Sequence, residues 1–284
     1  MMDRKFHGSA DRPAPSPDPA IVEAIMEQVH SALAGRRMWP VVIGICGAQG
    51  SGKSTAARAL IEACGEAGLS AAALSLDDLY LGHEERQELS RAVHPLLATR
   101  GVPGTHDVML GLDILDALEA GFPVALPRFD KASDDRLAER DWPIVQPGCQ
   151  VLVFEGWCVG AFPQASSALV DPVNALEAKE DGDGRWRRYV NDALGDVYQR
   201  LFARIDRLVL LASPGFEVVH DWRLEQERDL AAEKRKGVHV MDEDRIACFI
   251  AHYERLTRWI LSEMPARANL VIQLDARRRP LRIA

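Results

Sequence analysis

The sequence is poor in cysteine and aromatic residues and has no long apolar run. Its five cysteines are scattered, odd in number and never spaced as C-x-x-C, so neither a zinc site nor a disulfide framework is expected. Aromatic residues make up 6% of the chain and form no cluster that could stack a nucleobase. No apolar run approaches the roughly 18 residues that cross a bilayer. These absences favour a globular protein of a reducing compartment, without a membrane span.

An excess of positive charge is also absent. The 284 residues carry 34 Lys and Arg against 42 Asp and Glu, a formal net charge of −8. A surface for polyanions would form against this overall field, so nucleic acid is not expected as a partner. Residues 1–20 lack the apolar stretch of a secretory signal and collect Pro and Ser instead, which predicts a flexible segment and a cytoplasmic protein. The oligomeric state is left open.

Short apolar runs alternate with helical patterns along the rest of the chain. Buried strands are predicted over 41–46, 70–76, 151–154, 207–212 and 269–274. Helices are predicted from Pro19, after an N-cap at Asp18, to about Gly35, and over 54–64, 107–118, 186–202 and 246–256. Strands separated by helices at this rhythm predict an α/β protein in which a mostly parallel sheet carries helices on both faces, as one domain over residues 21–284.

Two stretches interrupt this rhythm. Residues 171–188, with their acidic and Gly-rich centre, are predicted to form a surface insertion. Residues 220–240 are dense in charge and are predicted to form a charged helix with a mobile end.

The most specific motif is Gly47-Ala-Gln-Gly-Ser-Gly52-Lys53-Ser54, which satisfies G-x-x-x-x-G-K-[ST] between a predicted strand and a predicted helix. Glycines let backbone N–H groups turn inward around phosphates, the helix adds its positive end, and Lys53 adds a charge. Ser54 can hold Mg²⁺. The motif therefore predicts ATP and Mg²⁺ as cofactors. The residues assigned to nucleotide binding are Gly47, Ala48, Gln49, Gly50, Ser51, Gly52, Lys53, Ser54 and Thr55.

A phosphate loop of this kind does not name a reaction, because GTPases, motors, transporters and kinases all use it. No asparagine begins the N-K-x-D run that reads guanine, so specificity for GTP is not supported.

Acidic residues stand at the ends of two predicted strands, where α/β sheets build their sites. Asp77 and Asp78 follow the run at 70–76, and Glu155 ends the run at 151–154. A kinase that phosphorylates an alcohol benefits from a carboxylate that takes the hydroxyl proton, and Asp77 is the candidate base. If the chain stays extended through the pair, only one of the two side chains can reach the acceptor. Glu155 is expected to serve Mg²⁺ with Ser54, directly or through a water molecule. A helix cap or a turn is the alternative interpretation of these acids.

Two loops combine turn residues with cationic groups, RGVPGTHD at 100–107 and PRFDKASDDR at 127–136. Arginine can hold a carboxylate with two parallel hydrogen bonds and lysine adds a point charge, so such loops are suited to a small acid. The alternative is that they are solvated surface groups, as most charged loops are.

Taken together and in this order, GAQGSGKST, SLDDLY, RGVPGTHD, LPRFDKASDDR, the Trp142-Pro143 pair and VFEGWCVG resemble the plant- and fungal-type D-glycerate 3-kinase family, which is similar to phosphoribulokinase, uridine kinase and pantothenate kinase. The likeness covers roughly residues 40–260. It implies a three-layer P-loop kinase fold with a helical lid, ATP with Mg²⁺, and transfer to the 3-hydroxyl of D-glycerate. Asp77 matches the base of the wider group. The residues implied on the substrate side are Asp78, Tyr80, Arg100, His106, Asp107, Arg128, Lys131 and Arg136.

The run from His220 to Arg228 resembles the lid helix of these kinases, and a lid is expected around 215–240. Arg223 would face the transferring phosphate and complete the implied catalytic set with Lys53 and Asp77. A merely solvated charged helix is the alternative.

One departure from the family concerns the acceptor. Only Ala-Ser-Asp-Asp separates Lys131 from Arg136, whereas the plant enzymes have a few more residues there, including glycines. The acceptor is therefore left open between glycerate and another small anion such as pantothenate or a sugar phosphate. A nucleoside acceptor finds no aromatic platform, and a protein that uses ATP as a switch without an acceptor is the alternative from another class.

Overall fold

Strands and helices alternate in the computed structural model, which describes residues 17–35, 40–233 and 243–284. The described helices are α1 (Pro19–Ala34), α2 (Lys53–Glu66), α3 (His83–Ala92), α4 (Val108–Glu119), α5 (Ala175–Glu180), α6 (Arg185–Gly195), α7 (Val197–Phe202), α8 (Glu217–Glu233) and α9 (Glu243–Glu263). The described strands are β1 (Val41–Gly47), β2 (Ala71–Ser75), β3 (Val124–Ala125), β4 (Phe129–Asp130), β5 (Asp135–Arg136), β6 (Ile144–Val145), β7 (Val151–Gly156), β8 (Arg207–Ala212), β9 (Leu270–Leu274) and β10 (Pro280–Ile283).

Six strands form the central sheet, in the order β10-β9-β8-β1-β7-β2. All neighbouring pairs are parallel except β10, which runs antiparallel to β9. Two short antiparallel pairs, β3 with β6 and β4 with β5, lie outside this sheet. The five strands predicted from apolar runs are all present, whereas β10 carries no apolar run and was not predicted.

Both faces of the sheet are covered by helices, which explains why β1 has no polar alternation. Val41, Ile43 and Ile45 pack in one apolar cluster with side chains of α1 and α2. Val42 and Cys46, which point the other way, pack in a second cluster with side chains of α4, α7 and α9. Each buried aliphatic side chain of this kind contributes about 1.5–3 kcal/mol relative to exposure. The predicted three-layer arrangement is confirmed.

Helix α1 begins where the sequence predicts. Pro19 is its first residue, and the Asp18 carboxylate accepts a hydrogen bond of 3.0 Å from the Ala20 N–H. Such a cap satisfies one of the N–H groups that a helix start leaves without a partner. Of the predicted flexible segment, residues 1–16 lie outside the described residues.

The prediction of one helix over 186–202 was wrong, because the chain forms α6 and α7 with a break at Asp196. The Asp196 backbone has φ −109° and ψ −105°, far from helical values. The Gln199 side chain donates hydrogen bonds of 2.9 Å to the carbonyls of Leu194 and Ala161. It thereby satisfies a carbonyl at the end of α6 and ties the break to the loop after β7. Helix α3 was not predicted at all.

The prediction of a surface insertion over 171–188 was also wrong in part. This stretch contains α5 and the start of α6, and two of its acids, Glu177 and Asp181, are buried, whereas Asp171, Glu180 and Asp183 are exposed. Glu177 accepts two hydrogen bonds from the Arg255 guanidinium, at 2.8 and 2.6 Å. Asp181 pairs with Arg187 at 3.0 Å. Removing one partner of a buried pair typically costs about 3–5 kcal/mol. The Glu177–Arg255 pair therefore anchors α9 to this segment, whose remaining acids lie at the surface.

The charged stretch at 220–240 forms the greater part of α8, and residues 234–242 lie outside the described residues. Phe216, Val219 and Trp222 are buried, with Val219 and Ile250 of α9 in one apolar cluster with Ala48 of the phosphate loop. The first half of α8 is therefore part of the core. None of the helices described in the structure has the length and apolar character of a membrane span.

Candidate active site

The phosphate loop joins β1 to α2, and two of its glycines need left-handed backbone conformations. Gly50 has φ +77° and Gly52 has φ +91°, values that side-chain-bearing residues rarely adopt. A Cβ built at Gly50 would lie 2.6 Å from the Trp222 Cβ, whereas a Cβ at Gly52 would meet nothing within 4 Å. The first glycine is thus required by close packing against α8, and the second faces open space in front of the loop. Lys53 is the first residue of α2.

Ser54 and Glu155 meet at the carboxyl ends of neighbouring parallel strands. Ile45 pairs with Glu155 in the register of β1 and β7, and the Ser54 hydroxyl donates a hydrogen bond of 2.9 Å to Glu155 Oε1. Glu155 is 5% exposed, and its Oε2 is buried with no hydrogen-bond partner within the described part of the chain. A buried oxygen of this kind calls for a ligand such as a cation or an ordered water.

A metal ion bound here would need oxygens from outside the protein. Across the described residues, no group of three or more His, Cys, Asp or Glu side chains is arranged to hold a metal. Mg²⁺ is commonly held by one or two carboxylates together with phosphate oxygens and waters. The Ser54 hydroxyl and the Glu155 carboxylate fit this pattern.

Asp77 and Asp78 lie in a 3₁₀ turn, Leu76–Leu79, directly after β2. The chain is therefore not extended through the pair, but the two side chains still diverge. Asp77 accepts hydrogen bonds of 2.7 Å from the Tyr80 hydroxyl and 2.7 Å from Lys131 Nζ. Burial acts to raise the pKa of Asp77, but the charges of Lys131 and Lys53 and the two hydrogen bonds outweigh it and lower the pKa below its ordinary value. Asp77 is consequently ionised at neutral pH.

Asp78 has a different environment. Its Oδ1 accepts from the Phe129 N–H and its Oδ2 from Arg128, both at 3.1 Å. Burial raises the pKa of Asp78 despite these donors. Together with Ser54 and Glu155, Asp78 and Arg128 line a groove of about 460 Å³ between α2 and the open edge of β2. The Asp78 carboxylate thus holds β4 against the end of β2. The Asp77 carboxylate instead contacts Lys131, which directly follows β4.

The 100–107 loop is held in place by aromatic side chains. Gly101 has φ +129°, its carbonyl accepts from Trp157 Nε1 at 2.8 Å, and a Cβ there would overlap the Tyr253 hydroxyl. Tyr253 donates to the Arg100 carbonyl at 3.1 Å. The glycine is therefore required by close approach, and α9 and the end of β7 fix the loop that carries Arg100.

His106 is buried behind Tyr80 and does not act as a charged group. It is 5% exposed, its ring stacks on Tyr80 with 4.7 Å between centroids, and its Nδ1 lies 2.6 Å from the Tyr198 hydroxyl. Burial lowers the pKa of His106 to about 3, although the Asp77 charge opposes the shift. The imidazole is therefore neutral near pH 7, and its position supports Tyr80, the residue that donates to Asp77.

The two cationic loops come together through a β-hairpin formed by residues 129–136, which contains β4 and β5. Asp134 lies in the turn of this hairpin and has φ +57°. It forms ion pairs with Arg100 and with Arg86, the latter at 2.5 Å. Arg136 pairs at 3.0 Å with both Asp107 and Glu85. The structure thus brings all the predicted cations of these loops to one region.

Arg86, Asp134 and Glu85 were not predicted from the sequence as residues of this region. Arg86 is fully buried and donates to backbone carbonyls of Leu81, Ala98 and Asp134. It lies in α3, HEERQELSRA, where its neighbours in sequence are mostly charged or polar, so the local sequence does not indicate that Arg86 is buried.

Arg223 lies in α8, one residue after Trp222, which packs on Gly50. Its guanidinium stands over the Phe249 ring, 5.5 Å from the centroid. Arg278, which was not predicted from the sequence either, donates from its Nε to the Gly50 carbonyl at 2.5 Å. The packed face of α8 could have been recognised from Phe216, Val219 and Trp222, which recur every three residues.

A phosphate loop with a serine and a carboxylate beside it, and a second carboxylate at the end of the neighbouring edge strand, is the arrangement of a P-loop kinase, a phosphotransferase with an alcohol acceptor. The comparisons with known proteins agree with this class. The chain is 37% identical over 229 residues to the uncharacterized kinase mug58 of Schizosaccharomyces pombe, which covers 75% of this chain and 78% of that protein.

Two other proteins to which the chain is similar are named D-glycerate 3-kinases. The chain is 29% identical over 258 residues to the chloroplastic D-glycerate 3-kinase of Arabidopsis thaliana, and the match spans 54% of that protein's length. The solved structure of the D-glycerate 3-kinase from Cryptococcus neoformans matches 94% of this chain and 99% of its own with a TM-score of 0.76 and 26% identity. No family model matches the chain. The chain belongs to the family of P-loop kinases related to D-glycerate 3-kinase.

Proposed function

We propose that this protein transfers the γ-phosphoryl group of ATP to a hydroxyl of a small hydroxy acid, with D-glycerate as the first candidate and 3-phosphoglycerate as its product. The observation that supports this most directly is the ionised Asp77 carboxylate. It is held by Tyr80 and Lys131 at the end of the strand next to β7, whose own end carries Glu155. A nucleotide switch without an acceptor would have no use for such a base.

On this proposal, the chain supplies positioning and charge. The backbone N–H groups of residues 47–55 and the Lys53 ammonium would hold the ATP phosphates. Ser54 and Glu155 would hold Mg²⁺, which neutralises charge on the phosphate oxygens when bound. Asp77 would accept the hydroxyl proton, and Arg223 would stabilise charge on the transferring group.

The charges around the cleft favour an acceptor with a single negative charge. Each cation of the two loops already has an acidic partner in the chain, the pairs being Arg100 with Asp134, Arg128 with Asp78, Lys131 with Asp77, and Arg136 with Asp107 and Glu85. A carboxylate could exchange with one of these partners at little electrostatic cost. A doubly charged phosphate ester would find no surplus of positive charge, so glycerate is favoured over a sugar phosphate.

The test is ADP release measured with D-glycerate, L-glycerate, pantothenate and ribulose 5-phosphate, and without an acceptor. We expect D-glycerate to raise ADP release at least about a hundredfold over the rate without acceptor, and mass spectrometry to identify 3-phosphoglycerate. Stimulation by another compound would assign that compound as the acceptor in place of glycerate. ADP release indifferent to every compound would refute the kinase proposal and favour an ATP switch. A cytoplasmic location and the lack of a nucleic-acid partner remain predictions.

A further inference from the structure

The turn between β9 and β10 contacts both the phosphate loop and α8. Arg278, in this turn, donates from Nε to the Gly50 carbonyl at 2.5 Å and pairs through its NH1 with Glu225 of α8 at 2.6 Å. Its guanidinium lies 5.2 Å from the centroid of the Trp222 ring, and Trp222 Nε1 donates to the Ala276 carbonyl at 2.7 Å. One side chain therefore joins three segments that are far apart in sequence.

The backbone conformation of this turn sets the direction of the Arg278 side chain. Arg278 has φ +63°, a left-handed conformation that is uncommon for a residue other than glycine. The Asp275 carboxylate accepts from the N–H groups of Arg277 and Arg279, at 2.8 and 2.9 Å, and so holds the chain in this conformation. Arg277 and Arg279 are exposed, whereas the Arg278 side chain is only 26% exposed.

The contact with Gly50 controls the orientation of a peptide group in the phosphate loop. Because a peptide is planar and trans, the Gly50 oxygen and the Ser51 N–H point in opposite directions. The oxygen is held by Arg278 and the N–H donates to the Ala48 carbonyl at 3.1 Å. A phosphate site must present N–H groups and not carbonyl oxygens to the anion. A flip of this peptide, which the glycine would otherwise permit, would break both hydrogen bonds.

We propose that Arg278 is a positioning residue for the phosphate loop, which locks the Gly50–Ser51 peptide and ties α8, with Arg223, to the loop. The proposal deepens the proposed function and rests on it only in requiring that the chain binds ATP. Its consequence is that the end of the chain, far from the phosphate-loop motif in sequence, determines how well the nucleotide phosphates are held. A purely structural role would instead affect folding and leave nucleotide affinity intact.

The experiment compares Arg278→Met with Arg277→Met in the full-length protein. Methionine keeps an apolar stem over Trp222 but removes the charge and both donors, and the Arg277 variant makes the same change in the same turn on an exposed side chain. The affinity for ATP with Mg²⁺ is measured by calorimetry without acceptor, and the melting temperature is measured in parallel. We expect Arg278→Met to weaken ATP binding about tenfold or more, and Arg277→Met to stay within twofold of the unmodified protein.

Two further variants keep the outcomes distinguishable. Arg278→Lys restores the charge near Glu225 but not the guanidinium geometry. We expect it to recover less than half of the decrease in the logarithm of ATP affinity that Arg278→Met causes. If Arg278→Met does not fold, Arg278→Lys decides, and wild-type affinity in that variant overturns the proposal. Lys53→Ala should abolish ATP binding. If it does so while Arg278→Met matches Arg277→Met, the positioning role is wrong and the kinase proposal stands. If the unmodified protein does not bind ATP, both fail.

Discussion

The exchange of Asp77 for asparagine tests the proposed base with little change of shape. In the protein, the Asp77 carboxylate accepts from the Tyr80 hydroxyl and from Lys131. An asparagine can keep both contacts, because its oxygen can accept from Lys131 and its NH₂ can donate to the tyrosine oxygen, which is also an acceptor. The substitution therefore removes the negative charge and the proton acceptor while the two neighbours keep a partner.

The expected loss in kcat is at least about a thousandfold. A positioned general base contributes roughly 10²–10⁴ in rate, and a thousandfold change corresponds to about 4 kcal/mol in the activation free energy. The pKa of Asp77 lies below its ordinary value, so the carboxylate is ionised in the ground state. Because Asp77 bonds to Tyr80 and Lys131, which lie outside the phosphate loop, the affinity for ATP should change less than about threefold.

Asp78→Asn serves as the matched comparison, since it makes the same chemical change one residue away. The Phe129 N–H and the Arg128 guanidinium, which Asp78 accepts from, are both pure donors. An asparagine NH₂ must face one of them, so we expect the free energy of unfolding to fall by about 1–3 kcal/mol. The loss in kcat should be about tenfold or less.

The assay is steady-state ADP release with the acceptor identified in the panel, together with calorimetric ATP binding and urea unfolding of all three proteins. We expect a large kcat loss with normal stability for Asp77→Asn, and a small kcat loss with lowered stability for Asp78→Asn. A kcat within tenfold of the unmodified enzyme for Asp77→Asn would refute the assignment of the base. A larger kcat loss for Asp78→Asn would transfer the role to that residue.

Three further outcomes are expected. Gly50→Ala should destabilise the protein more than Gly68→Ala, since the two glycines have similar φ, +77° and +75°, but only a side chain at the first would clash. Equal melting temperatures would contradict the close packing on Trp222. Glu155→Gln should raise the Mg²⁺ concentration for half-maximal activity at least about tenfold with little change in melting temperature, and an unchanged Mg²⁺ dependence would contradict the metal role. Because the pKa of buried His106 lies at about 3 against an ordinary 6.5, the unfolded state binds a proton that the folded state refuses, so stability falls as the pH drops below about 6.5. Between pH 6.5 and 5, the unfolding free energy of the unmodified protein should fall by about 2 kcal/mol more than that of His106→Gln. The same pH dependence in both proteins would refute the assignment of His106 as a buried, neutral imidazole.

Much of the fold was predictable because its signals are local. A strand buried on both faces has to be a continuous apolar run, and VVIGIC and VLVF are such runs on either side of the contact between β1 and β7. The phosphate loop was predictable for the same reason, since glycines, lysine and serine act within eight residues of each other. The acids Asp77 and Glu155 could be placed at one sheet edge because strand ends of parallel neighbours coincide.

The partners of the charged residues were not predictable. Arg86 and Asp134 are 48 residues apart, and Arg278 and Gly50 are 228 apart. Nothing in RRRP, the sequence at 277–280, distinguishes the arginine that bonds the phosphate loop from its two exposed neighbours. The distinction arises from the left-handed conformation at Arg278, which depends on the Asp275 turn and on the packing of α8.

The short connection between Lys131 and Arg136 has a structural consequence for the acceptor. It closes a tight turn in which Asp134 takes a left-handed conformation and pairs with Arg86 and Arg100. The turn places Lys131, its first residue, on Asp77, and Arg136 of β5 on Asp107, so both cations are held by acids at the two ends of the turn. A longer loop would let each cation move independently. In this chain the acceptor must therefore fit a rigid frame, and its size, more than its charge alone, should decide between glycerate and a larger monoanion such as pantothenate.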